Sequence, residues 1–177
     1  VAGFAGGAKY FFPGVAGPDL THKTHWLAAL AGIENIIGRV ETPTRHLIEA
    51  AADHITAEVI AFTSVVSRTA NDDLRTYALF AGDPRTSLRR AADVSRIVHI
   101  KYTGRKYRRV VALLDEHYDE LWLGGKASYR LGAVIEEGGE LIIYAPHLRV
   151  ISRTHGEFIE RFGGYAPLEK VKELVAA

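Results

Sequence analysis

The chain has 177 residues, enough to bury a core as one domain or two small ones, and 47% of them are hydrophobic, as in globular proteins. A formal net charge of +1 gives no reason to expect a nucleic-acid or membrane partner. Cysteine is absent, which excludes disulfides, zinc–thiolate sites and thiol nucleophiles, so any metal must be held by His, carboxylate or a non-protein ligand. No apolar run reaches membrane-spanning length, and a cytoplasmic location is the default expectation.

Residues 1–17 read as Gly-rich turns around the short apolar run Tyr10-Phe11-Phe12. Methionine is absent throughout, and Val1-Ala2-Gly3-Phe4-Ala5 reads like the interior of a strand or turn, so the chain is expected to be a piece of a larger protein. From Asp19 to about Leu30, Trp26, Leu27 and Leu30 have helical spacing, and Gly32 suits the stop. Thr42 as N-cap and Pro43 at the first helical position open a second helix, expected to reach about His54. His46 and His54 on it are given no role.

Glu58–Ser67 is rich in β-branched residues and reads as a strand. Thr69-Ala70-Asn71-Asp72-Asp73 is the turn, and Leu74–Ala81 the antiparallel return. Gly82-Asp83-Pro84 ends the hairpin and caps a helix to about Val94, with Asp83 as the cap. Arg85, Arg89, Arg90 and Arg96 on that helix suggest either an anion site or, by preference, a solvated charged face. A second unit is expected from about residue 101, with residues 101–106 as the linker. Ile97–Tyr102 and Tyr107–Leu114 read as strands, Asp119–Val134 as a helix, and Gly138-Gly139 as a turn into the apolar strand Glu140–Tyr144. Thr154–Phe162 and Pro167–Val175 read as closing helices. Strands alternating with helices argue for an α/β fold, with an incomplete N-terminal α/β part over 1–100 and a layered α/β part over 101–177.

The residues with chemical interest begin at Gly6-Gly7-Ala8-Lys9 and Pro13-Gly14, followed on a helix by His22 and His25. Two glycines let the backbone bend sharply and a ligand approach closely. A lysine behind them becomes a nucleophile when burial lowers its pKa, and the apolar neighbours Tyr10, Phe11 and Phe12 are candidates for the wall that would do this. Neutral imidazole suits nickel, but a single protein ligand is too few for a bare ion. His147 and His155 follow an apolar strand at its C-terminal end, where α/β sheets place ligands, and neither is assigned a role.

Taken together, Gly6-Gly7-Ala8-Lys9, the Pro13-Gly14 turn and the helical His25 resemble the signature of the nickel-pincer lactate racemase family. The resemblance continues through Phe80-Ala81-Gly82-Asp83-Pro84, Gly124-Gly125-Lys126-Ala127 and Gly138–His147, so it covers nearly the whole chain. It implies a nickel-pincer nucleotide (a pyridinium bis-thiocarboxylic acid mononucleotide carrying nickel) linked covalently to Lys9, with Gly6 and Gly7 lining its site. It implies His25, sixteen residues beyond Lys9, as the nickel ligand; His22 fits that register less well. The cofactor's two sulfurs and a carbon would complete a square plane. Lys126 is implied to meet the substrate carboxylate, assisted by a helix N-terminus. The implied activity is racemisation or epimerisation of a 2-hydroxy acid by reversible hydride transfer to the cofactor. Two acid–base histidines are expected on a preceding portion of the same enzyme. Better-known racemases carry a glutamine three residues before that lysine. Here the position is Leu123, which weakens lactate as the substrate and leaves the wider 2-hydroxy-acid class. The alternative from another class is a non-catalytic module that binds an anion or a nucleotide.

Overall fold

The computed structural model describes residues 3–164 and 166–176. It has the α/β character expected from the sequence, and the chain divides into two compact units, Val1–Tyr102 and Thr103–Ala177.

The first unit opens with a 3-10 turn at Gly7–Tyr10, followed by α1 (Pro18–Ala31) and α2 (Pro43–Ala52). Proline at the start of each helix supplies a preset φ where no backbone donor is needed. At α2 the Thr42 hydroxyl also accepts the Arg45 N–H at 3.1 Å, which satisfies one of the first-turn donors. α1 ends at Gly32, whose φ of 81° an L-residue with a side chain would resist. Then β1 (Ala61–Arg68) and β2 (Leu74–Gly82) form an antiparallel hairpin from Ala61↔Gly82 to Arg68↔Leu74, with an irregularity between Val65 and Val66.

The helix α3 (Pro84–His99) lies across that hairpin. Asp83 caps it by accepting the Thr86 N–H at 2.8 Å. Its buried face is Ser87, Leu88, Ala91 and Ala92, small enough for close approach to the strands. Val65 is buried and Thr63, Ala78 and Phe80 half-buried, whereas Phe62 and Leu79, pointing the other way, are 74% and 63% exposed. α3 runs to His99, so the strand expected at Ile97–Tyr102 is a helical turn followed by irregular chain. Its β-branched residues suggested a strand, but the last turn of α3 stays on the hairpin, with His99 Nε2 3.0 Å from the Val66 carbonyl.

In the second unit β3 (Tyr107–Leu113) and β4 (Ile135–Tyr144) pair in parallel, joined by a crossover through α4 (Leu121–Gly124) and α5 (Lys126–Leu131). The single helix expected over Asp119–Val134 is thus broken, with a final 3-10 turn at Gly132–Val134. Gly124, Gly125 and Gly132 each weaken helix continuity. Gly138-Gly139 is not a turn before β4 but lies inside it. The chain irregularity falls there, in the register shift between Tyr107 and Arg109, and Gly138 takes a φ of 69°. The segment after β4 is tied to the crossover by Leu121 N–H to Val150 O and Trp122 N–H to Ile151 O, both 2.9 Å. The buried Glu120 carboxylate accepts the Arg153 N–H at 2.8 Å. α6 (Gly156–Phe162) and α7 (Leu168–Ala176) close the chain. No helix among the described residues is long and apolar enough to cross a membrane.

Candidate functional site

Lys9 sits in the 3-10 turn directly after Gly6 and Gly7, which have φ values of 91° and 63°. These left-handed conformations explain both glycines. A Cβ on Gly7 would also come within 3.0 Å of Leu88 Cδ2 on α3. The turn is pressed against α2 as well, where Ala8 packs with Ile48, Phe12 and Ala52. Lys9 is therefore mounted on a segment clamped between two helices. Its side chain is half-buried, and among the described residues no hydrogen bond or ion pair engages its amine. Burial, with the nearby Arg45 charge second, holds that amine below the ordinary lysine range. Of the three aromatics expected to wall it, Tyr10 is 72% exposed, whereas Phe11 and Phe12 are half-buried and Phe12 packs on the Ala8–Ile48 cluster.

His22 and His25 are both exposed on α1, and they differ in one respect. The Nδ1 of His25 lies 2.7 Å from the Thr21 carbonyl. A carbonyl only accepts, so Nδ1 carries the proton and Nε2 is left with its lone pair. That is the tautomer a metal-binding histidine needs, fixed by a backbone partner in the manner usual for metal ligands. No hydrogen bond engages His22 among the described residues. Nor, among those residues, do three or more His, Cys, Asp or Glu side chains gather as a metal cage. A metal held by His25 would need its remaining ligands from beyond the described residues.

Lys126, in the second unit, is the half-buried first residue of α5. The helix-terminus charge expected to assist it is largely absent. α5 has six residues and follows α4 across Gly125, itself in helical conformation, with Gly125 N–H bonded to Leu121 O at 2.8 Å. The helix start proper lies at Leu121. His147 points its Nε2 at the Tyr118 carbonyl, 3.0 Å away, and the His155 ring meets Trp122 edge-on at 4.9 Å. Both have structural partners.

The arginines of α3 are largely spoken for. Arg85 pairs with Asp53 at 2.6 Å and reaches Glu49 at 3.5 Å, while Arg89 bridges Glu41 at 2.8 Å and Glu49 at 3.3 Å. Sequence reasoning passed over the most buried charged residue of this region. Arg45 on α2 is 0% exposed. The available signal was its position three residues before Ile48, on the helix face that also carries Thr44 and Glu49.

No family model matches the sequence, and no curated protein matches it. A crystal structure of a protein from Thermotoga maritima is similar over 99% of this chain, with a TM-score of 0.83 and 34% identity. The chain spans 44% of the length of that protein.

Proposed function

We propose that this chain carries the cofactor-holding and substrate-side parts of a nickel-pincer racemase or epimerase acting on a 2-hydroxy acid. The reading is carried by Lys9: an amine held below its ordinary pKa, with no ion-pair partner among the described residues, on a glycine segment fixed between two helices. A lowered pKa leaves more of the amine neutral and so favours covalent attachment over that of a solvated lysine. The His25 tautomer supports the same reading, because in the neutral ring its Nε2 carries the lone pair a metal would take. Together Lys9, Gly6, Gly7 and His25 would hold the nickel-pincer nucleotide, Lys9 covalently and His25 at the metal. When bound, that group supplies a reversible hydride acceptor. Lys126 would bind and orient the substrate carboxylate as a compact point charge. The acid–base histidines would come from the rest of a longer protein, and the proposed location is the cytoplasm. The alternative, a non-catalytic anion- or nucleotide-binding module, would draw on the α3 arginines, and Arg85 and Arg89 are already engaged by carboxylates.

The test is intact-mass and nickel analysis of the chain co-expressed with enzymes that make the cofactor. Lys9→Ala should abolish the mass adduct. His25→Ala should keep the adduct and lose nickel, and His22→Ala should do neither. Nickel lost with His22→Ala but retained with His25→Ala would overturn the ligand assignment, and an absence of any adduct on Lys9 would overturn the function.

A further inference from the structure

We propose that Arg45 is the positioning residue of the Lys9 site: buried beneath residues 4–7, its guanidinium grips two carbonyls of that segment and fixes the loop on which the Lys9 amine is mounted. Nη1 donates to Gly6 O at 3.0 Å and Nη2 to Phe4 O at 2.5 Å. These partners lie about forty residues earlier in the chain, so the contact is tertiary and not an accident of local sequence. A planar fork on two carbonyls sets both the distance and the tilt of the segment, which a lysine cannot reproduce. The other end of the residue is fixed too, since its own N–H is taken by the Thr42 cap. A fully buried guanidinium is costly to keep in a protein, and here it is spent on a glycine turn that already packs against Leu88 and Ile48.

The position of that charge matters as well as its hydrogen bonds. The Lys9 turn packs against α2 and α3. On α2, Glu49 supports the Arg45 charge, and His46 is turned to Glu41. On α3, Arg85 and Arg89 pair with Glu41, Glu49 and Asp53, Arg96 pairs with Asp93, and Arg90 lies over the Phe80 ring. Among the described residues, Arg45 is the charge that acts on the Lys9 amine, and it favours the neutral form. One residue thus holds the loop and discourages protonation of the group the loop carries. The inference deepens the assignment of Lys9 and rests on it for its functional meaning.

The experiment reads the cofactor-free chain. Trace acetylation by acetic anhydride is followed at Lys9 by peptide mass analysis from about pH 6 to about pH 11. Amide hydrogen exchange is followed in parallel at residues 5–8. Arg45→Met should move the half-reaction pH of Lys9 up toward the ordinary 10.5 and speed exchange in the loop about tenfold or more. Arg45→Lys keeps the charge but not the fork. It should speed loop exchange similarly while shifting the half-reaction pH less. If Arg45→Met does not fold, the same two readouts on Arg45→Lys decide the matter. Arg90→Ala should leave both unchanged. Wild-type values for both readouts in a folded Arg45 variant would overturn the inference, and so would an equal shift with Arg90→Ala. Because no cofactor is present, these outcomes are independent of whether a nickel adduct ever forms.

Discussion

At the scale of single residues, two charged groups of the first unit stand in unfavourable surroundings. Lys9 is a half-buried amine, and its native pKa lies below the unfolded one. Below the native pKa the buried charge costs stability in full, and between the two values the unfolded chain binds more protons, so stability rises with pH. Above the ordinary 10.5 both states are neutral and the cost is gone. Lys9→Met should therefore stabilise the protein at neutral pH, and the gain should shrink as pH rises toward 10.5. Urea melts of both proteins across that range check this, and a gain that persisted unchanged at the alkaline end would refute it. Lys9 drew attention in the sequence because glycines and a nearby turn surround it. Arg45 was not, because nothing in an arginine's neighbours announces that its partners are backbone carbonyls about forty positions away.

At the scale of elements, caps and glycines decided where sequence reading succeeded. Thr42-Pro43 and Asp83-Pro84 both start helices as their chemistry dictates. α3 then ran past its expected end, since nothing at Ile97 or Val98 stops a helix that has a hairpin to lie on. In the crossover the apolar pattern suggested one long helix, and three glycines broke it. The parallel pairing of β3 and β4 is not visible in either strand alone, because partner choice is made by the crossover. The Asp83 cap gives a direct test. Asp83→Ala should cost about 1 kcal/mol, within the usual range for losing an N-cap. The Thr86 N–H bond holds the Asp83 carboxyl below its ordinary 3.8. Its contribution is therefore present above the unfolded value and lost as pH falls through the native one. The gap between wild type and variant should narrow in acid. A gap that stayed constant would mean that the substitution acts through something other than the charged cap.

At the scale of the whole molecule, the two units each have their own sheet and helices. The segment 101–106 is exposed and lacks regular structure, and it holds Lys101, Arg105 and Lys106. Limited trypsin digestion should cut there first and leave two resistant pieces, as exposed inter-unit chain is the usual site of nicking. First cuts within α2 or α3, which also carry arginines, would show that the division is not a boundary in stability. A chain similar to this one makes up less than half of the Thermotoga maritima protein.

The clamping of residues 4–7 beneath the Arg45 fork has a consequence for the entropy of ligand capture. Fixing the backbone of a residue costs roughly 1–2 kcal/mol. A loop ordered only on binding would subtract that sum from whatever affinity its ligand could offer. Here the Arg45 fork orders the segment through its hydrogen bonds to the Phe4 and Gly6 carbonyls, and Gly6 and Gly7 take positive-φ conformations that few other residues adopt. On the function proposed above, a molecule binding at Lys9 would meet a segment with little backbone freedom left to lose.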